Sequence, residues 1–230
     1  MVRKELTPQT AGTISDRRRG WLSPGGPLGA ITLMVVLALP LPGWLVPGES
    51  LAAEEGHELV FWALTVVLLA YVLLVERRPM SSIGLETPNW KTVLVGALGA
   101  LLMVGGMAFI YMVLFPALGL SPNEPGTAEI KALPFWFRVL IILRAAVFEE
   151  IYFRGFMIER LTEIVRSRWG AAAISLAAFT FAHLGYWGWA HLMIAGFGGI
   201  VLTGLYLWRR DLAANMIAHL LTDAVGFLLG

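Results

Sequence analysis

Long apolar runs separated by short polar segments make up most of the chain. About seven of them reach or approach the length of about 20 residues that a helix needs to cross a bilayer. These runs are residues 28–46, 59–75, 92–118, 135–156, 170–186, 190–208 and 212–229. The pattern therefore predicts an all-α fold, a polytopic membrane helix bundle with about seven transmembrane helices.

The composition supports a membrane protein and excludes several kinds of chemistry. Of the 230 residues, 57% are hydrophobic and only 14% are charged, too few for the surface of a soluble domain. A net charge of +1 gives no reason to expect nucleic acid as a partner. The chain has no cysteine, so disulfides, thiolate metal sites and a cysteine nucleophile are excluded.

The polar segments indicate the domain organisation and the orientation. Residues 1–26 are rich in Gly, Pro, Ser and Arg and are predicted to be a disordered cytoplasmic tail, followed by a single transmembrane domain over residues 27–230. Basic residues outside the runs concentrate at alternate polar segments: Arg17, Arg18, Arg19, Arg77, Arg78, Lys91, Arg160, Arg166, Arg168, Arg209 and Arg210. Because basic loops stay in the cytoplasm, we expect the N-terminus inside and the C-terminus outside.

One apolar run carries charges in its interior. Glu149, Glu150 and Arg154 lie within residues 135–156. Each charge costs about 2.5–3.5 kcal/mol at a bilayer centre unless it faces protein or water. Glu150 and Arg154 are four residues apart and share a helix face, so Arg154 is expected to hold Glu150 ionised. Glu149 points about 100° away from Glu150. The pattern predicts a polar chamber among the helices.

Two later runs supply polar groups that could complete this chamber. Phe179 and His183 are four residues apart, and Asn215, His219 and Asp223 follow one another at the same spacing. The second set forms a polar stripe on one helix face. Any one of these motifs alone could be structural, but ionisable groups in three apolar runs together favour a functional site.

The histidine at the start of the 190–208 run is a weaker candidate. His191 is expected to lie at the membrane interface, with a position in the chamber wall as the less expected alternative.

The three polar motifs resemble those of a known family. Residues 149–154 have the form EExxxR, residues 179–183 FxxxH, and residues 219–223 HxxxD. In this order, each within a hydrophobic run, they are similar to the motifs of the CAAX protease and bacteriocin-processing (Abi) family of intramembrane endopeptidases. The resemblance covers about residues 82–230, which would form the catalytic core.

The resemblance implies roles for the motif residues. Glu149 and His183 would activate a water for attack on a peptide carbonyl, while His219 and residue 223 would stabilise the oxyanion. Eukaryotic prenyl-protein members have asparagine at the last position, and an ionised Asp223 cannot donate a hydrogen bond. Either Asp223 is protonated or, as we prefer, it orients His219 as an imidazolium. Asn215 is a spare donor.

A metal mechanism is the alternative within the same site. Glutamates and histidines can bind zinc, and Glu149, His183 and His219 would then be the ligands. However, the chain has no HExxH motif, and the resemblance implies catalysis without a metal. We therefore expect no cofactor, with zinc as the less favoured alternative.

Other function classes remain open at this point. A non-catalytic scaffold or bacteriocin-immunity-type protein could bind a peptide in the same cavity, and a transporter could use buried Glu and His as proton relays. The expected partners are the lipid bilayer and a peptide or protein substrate at the membrane. The compact chain is typical of a prokaryotic plasma membrane protein, which makes a prenylated substrate the less expected case.

Overall fold

The computed structural model describes residues 20–120 and 125–229, and this part of the chain is helical, without strands. The long helices are α1 (Pro27–Leu37), α2 (Leu51–Val75), α3 (Trp90–Ala117), α4 (135–165), α5 (Arg168–Ala182), α6 (His191–Arg209) and α7 (Leu212–Leu229). Short helices cover Leu41–Leu45, Met80–Ile83, Pro125–Ala132 and Leu184–Trp187. The predicted all-α polytopic bundle is confirmed.

The number of membrane spans differs from the predicted count. Within the part of the chain that the structure describes, five helices are long and apolar enough to cross a membrane, which makes the chain an integral membrane protein: Gly20–Leu37, α2, α3, α6 and α7. The predicted count of about seven is not confirmed, because α5 has only 15 residues and α4 carries charged side chains throughout its length. Both helices nevertheless pack inside the bundle, where α4 contacts α2 and α7.

Two predicted boundaries also change. The first run ends early: α1 stops at Leu37, and a short helix follows at Leu41–Leu45 because Pro40 and Pro42 interrupt the helical hydrogen bonds. The fourth run extends further than predicted, since α4 continues from residue 156 to residue 165.

Most of the predicted cytoplasmic tail lies outside the described residues. Residues 20–26 are described, and they form one helical turn followed by turns. The Tyr71 hydroxyl donates to the Pro24 carbonyl at 2.6 Å, so this segment is fixed against α2.

Three helices begin at the same end of the bundle, each with a side-chain cap. Asn89 and Thr92 form a capping box at the start of α3, Ser167 accepts from the Gly170 N–H at the start of α5, and Asp211 accepts from the Ala214 N–H at the start of α7. Thr92 Oγ1 also donates to Asp211 Oδ2 at 2.8 Å. These caps fix the depth at which the polar motifs of α5 and α7 enter the bundle.

A network of ion pairs closes this same end, and we call it the basal network. Arg160 pairs with Glu76 at 2.6 Å, Arg210 pairs with Glu159 at 2.7 Å, and Arg78 pairs with Glu163. Arg160 and Arg210 also donate to Ser82, so the connection between α2 and α3 is tied to α4 and α6. The direct hydrogen bonds of Arg160 and Glu76 therefore offset the cost of removing these two charges from water.

The polar part of α4 is a π-helix. The α-helix ends at Glu149, and the eight residues Glu150–Met157 form i→i+5 hydrogen bonds. All eight are buried, including Glu150 and Arg154. The π-turns change the direction in which successive side chains face. All side chains of this segment can therefore be buried between neighbouring helices, whereas a regular amphipathic α-helix buries the side chains of one face.

Candidate active site

A cavity of about 1110 Å³ lies between the helices, and the predicted polar motifs line it. Glu149 from α4, His183 after α5, and His219 and Asp223 from α7 all contribute to its wall. The three motifs therefore converge on one chamber. Apolar side chains such as Phe148, Phe179 and Leu202 make up much of the remaining wall.

Glu150 does not face this chamber but lies beneath it, fully bonded. Its side chain is 0% exposed and accepts from Arg154 Nη1 at 2.8 Å, Asn215 Nδ2 at 3.1 Å and His219 Nδ1 at 2.9 Å. Arg154, 1% exposed, also donates to the Gly199 carbonyl at 3.4 Å. We call Glu150, Arg154 and Asn215 the supporting cluster, since they join α4, α6 and α7 under the site.

Phe179 completes the enclosure of Arg154. The guanidinium lies 4.0 Å from the centre of the Phe179 ring, a cation–π contact. The backbone is also close here, because a Cβ on Gly199 would lie 3.0 Å from the Phe179 side chain. Phe179 of the FxxxH motif thus packs α5 against α6 and screens Arg154 from the chamber.

Glu149, in contrast, faces the chamber and is weakly held. Its Oε1 lies 3.7 Å from Arg144 Nη1 and its Oε2 lies 3.9 Å from His183 Nε2, both beyond hydrogen-bond length. Oε2 is buried, and no hydrogen bond to it is found among the described residues. The two neighbouring glutamates therefore have different environments, as their directions on the helix predicted.

His183 presents one defined nitrogen to Glu149. Its Nδ1 lies 2.8 Å from the Phe179 carbonyl, which can only accept, so Nδ1 carries a proton. Nε2 is then the atom directed at Glu149. In the neutral ring this nitrogen has a free lone pair, which is the form that can take a proton from water.

His219 is held between two carboxylates. Its Nδ1 donates to Glu150 Oε1 at 2.9 Å, and its Nε2 lies 3.5 Å from Asp223 Oδ2. The proton on Nδ1 follows from the carboxylate acceptor. Nε2 therefore faces the chamber beside Asp223, in a position from which a protonated ring could donate.

Asn215 does not take the position of a spare oxyanion donor. Its amide nitrogen donates to Glu150 Oε2 at 3.1 Å and to the Leu202 carbonyl at 2.7 Å, and the residue is 0% exposed. The prediction of a spare donor is replaced by a role in the supporting cluster, because both amide hydrogens have partners there.

Two charged residues of the site were missed by sequence analysis. Arg144 donates to both carboxylate oxygens of Glu58, at 2.9 to 3.2 Å, and lies over the Phe61 ring at 4.3 Å. Both residues line the cavity. Arg144 could have been noticed as a further charge inside the 135–156 run. Its partner Glu58 could not, because it lies on α2, 86 residues away along the chain.

His191 takes the less expected of its two predicted positions. This residue is buried, lines the cavity, and stacks on Trp187 with 4.6 Å between ring centres and on His183 with 6.0 Å. The short helix Leu184–Trp187 lies against the start of α6 and brings the rings together. The position of His191 at a helix end does not by itself reveal this arrangement.

A bound zinc ion would need three or four ligand side chains directed at one point of the site. Within residues 20–120 and 125–229, no group of three or more His, Asp or Glu side chains is placed to hold a metal ion. Glu149, His183 and His219 share the chamber without forming such a group.

Comparison with known proteins agrees with the motifs. Residues 131–225 match the family of Rce1-like type II CAAX prenyl endopeptidases. No match was found among curated proteins or among solved structures. The matched segment contains all three motifs and runs from the short helix before α4 into α7. Residues 131–225 are therefore similar to a Rce1-like domain, and this match confirms the predicted resemblance of the motifs to the CAAX protease and bacteriocin-processing family.

Proposed function

We propose that this protein is an intramembrane endopeptidase that hydrolyses a peptide bond of a membrane-associated protein or peptide. The observation that carries the proposal is the pair of Glu149 Oε2 and His183 Nε2, which face each other at 3.9 Å in the wall of the chamber. Two proton acceptors at this separation form a site for a water that donates to one or both of them.

In the proposed reaction, this water loses a proton to the Glu149–His183 pair as its oxygen attacks the peptide carbonyl carbon. The carbonyl π electrons move to oxygen and form a tetrahedral oxyanion. When the C–N bond breaks, the pair returns the proton to the leaving nitrogen, which gives a carboxylate and an amine. General acid–base catalysis of this kind typically contributes about 10²–10⁴-fold to the rate.

The oxyanion would be stabilised by His219. With Nδ1 donating to Glu150, a protonated Nε2 beside Asp223 is the donor directed into the chamber. Asp223, as a carboxylate, would favour the imidazolium and orient it without contacting the oxyanion. Loss of one such donor usually lowers kcat by about 10²–10³-fold.

The supporting cluster would keep this geometry fixed. Glu150 holds the His219 ring by one oxygen and the Asn215 amide by the other, and Arg154 balances its charge. Restricting a catalytic imidazole to one orientation is the role that a buried acidic partner has in other hydrolytic sites.

The location and substrate are part of the same proposal. The alternation of basic segments supports an N-terminus in the cytoplasm. The compact chain is the reason to propose a prokaryotic cell, with the bundle in its plasma membrane. The matched family is named for prenylated substrates. For this chain we propose a membrane-bound peptide, for which the largely apolar chamber wall is suited with or without a prenyl group.

The experiment compares new protein N-termini in membranes from cells that express the wild type, Glu149→Gln, His183→Ala or Glu86→Gln. Glu86 is an exposed loop residue far from the chamber, so Glu86→Gln is the matched control. We expect a set of termini that wild type and Glu86→Gln produce and that both chamber variants lack.

Termini that persist in Glu149→Gln and His183→Ala would contradict the mechanism. A wild type that produces no termini, yet retains a peptide after cross-linking in the membrane, would favour the scaffold alternative.

A further inference from the structure

The chamber approaches only one end of the bundle. Its wall is formed by the halves of the long helices that lie away from the basal network, including the end of α1, the start of α2 and the end of α7. Lining residues that are exposed all lie toward this end: examples are Ala38, Leu39, Pro40, Lys131, Tyr186 and Gly226. We call this end the mouth.

The opposite end of the chamber is closed by packed side chains. Ile83, Phe156, Ile158 and Leu212 are each 0% exposed and belong to one hydrophobic cluster. Beyond them lie Arg160 and Glu76 of the basal network. The chamber wall reaches no further toward this end on α4 than Met157, so a peptide has no path through it.

The two ends also differ in the number of Lys and Arg residues that they carry. The closed end carries basic residues in every connection: Arg77, Arg78, Lys91, Arg166, Arg168, Arg209 and Arg210. The connections at the mouth carry Glu49, Glu54, Glu55 and Glu129, with Lys131 as the basic residue in their described part. Short connections rich in Lys and Arg remain in the cytoplasm during insertion.

We propose that the chamber opens to the non-cytoplasmic side of the membrane and takes its peptide from there. The statement that a substrate enters the chamber rests on the proposed function. The direction in which the chamber opens follows from the cavity and the charges alone. The substrate class is then a membrane-anchored or membrane-bound peptide whose cleaved segment lies on the non-cytoplasmic side.

The test uses single cysteines, since the chain has none of its own. Glu55→Cys places an exposed thiol at the mouth, and Glu86→Cys places an exposed thiol in the connection between α2 and α3 at the closed end. Ala145→Cys places one in the chamber wall, one helical turn before Glu149. A small, charged, membrane-impermeant thiol reagent is added to intact cells or to inside-out vesicles.

We expect Glu55→Cys and Ala145→Cys to react in intact cells, and Glu86→Cys to react only in inside-out vesicles. Reaction of Glu86→Cys in intact cells would overturn the proposal, because the basic end would then face outward. Reaction of Ala145→Cys only in inside-out vesicles, or from neither side, would overturn it as well.

Repeating the labelling with Glu149→Gln separates this inference from the proposed function. The pattern of labelling should not change, because it depends on access and not on hydrolysis. Failure of the cleavage experiment with outside labelling of Ala145→Cys would remove the protease and leave a chamber open to the non-cytoplasmic side.

Discussion

The basal network and the chamber use the same kinds of side chain in opposite ways. In the basal network Arg160 donates to both oxygens of Glu76 and to Ser82. In the chamber the ion contacts of Glu149 with described residues are long, 3.7 Å to Arg144 and 3.9 Å to His183. Ion pairs whose hydrogen-bonding capacity is filled hold helices together, whereas a buried carboxylate oxygen with remaining capacity can bind and activate water.

The supporting cluster stands between these two extremes. Glu150 and Arg154 are as buried as the basal pair of Arg160 and Glu76. One partner of Glu150, however, is His219, which lines the chamber. Glu149 and Glu150 are adjacent in sequence, yet one has a carboxylate oxygen without a hydrogen bond among the described residues and the other is bonded to its neighbours through both oxygens.

The largest expected effect comes from breaking the supporting cluster. Arg154→Met leaves Glu150 as a buried charge without its cation, and loss of one partner of a buried pair typically costs about 3–5 kcal/mol. We expect a clearly lower unfolding temperature in detergent micelles. Arg168→Met, at an exposed arginine, is the control and should unfold as the wild type does. Equal unfolding temperatures for all three proteins would show that the cluster is not a structural support.

The next effect concerns the oxyanion donor. His219→Gln removes the proposed imidazolium, and the rate of cleavage should fall by about 10²–10³-fold. Asp223→Asn keeps the histidine and should lower the rate less, because the new amide can itself donate. Steady-state cleavage rates of the two variants, compared with that of the wild type, test this difference. An Asp223→Asn loss as large as that of His219→Gln would contradict the indirect role of Asp223.

A smaller effect is expected at the Glu58–Arg144 pair. Glu58→Gln weakens the hold on Arg144, which can then approach Glu149 and fill its hydrogen-bonding capacity. The rate should fall by about 10-fold, equivalent to about 1.4 kcal/mol of activation free energy. Combining Glu58→Gln with Arg144→Gln tests the cause. In a protein that already lacks Arg144, the loss of Glu58 should not lower the cleavage rate further. Additive losses would mean that Glu58 acts independently of Arg144.

Metal removal should have the smallest effect. Treatment with a chelator is expected to leave the cleavage rate unchanged, and elemental analysis of the purified protein should find less than stoichiometric zinc. One zinc per chain, lost together with activity and restored with it, would favour the metal alternative with Glu149, His183 and His219 as ligands.

Much of the site could be predicted from local spacing. The residues of these motifs lie four apart, and this spacing places them on one helix face whatever the packing of the surrounding bundle. One set is Phe179 and His183, and the other is Asn215, His219 and Asp223. The same holds for Glu150 and Arg154. Their convergence required only that three apolar runs form one bundle.

What could not be predicted depends on contacts between distant segments. The pairing of Arg144 with Glu58 joins helices 86 residues apart, and the stacking of His191 depends on the fold of the short helix before α6. The number of membrane spans was uncertain for a related reason. The charged side chains of α4 have partners on neighbouring helices, and the hydropathy of a sequence gives no information about such partners.

The most direct test is the cleavage rate of purified Glu149→Gln in proteoliposomes, with its unfolding temperature measured in parallel. We predict an unfolding temperature close to that of the wild type, since Glu149 has no short hydrogen bond to lose among the described residues. The cleavage rate should be lower by at least about 100-fold. A folded Glu149→Gln protein that cleaves at nearly the wild-type rate would contradict the assignment of Glu149 as the group that activates water.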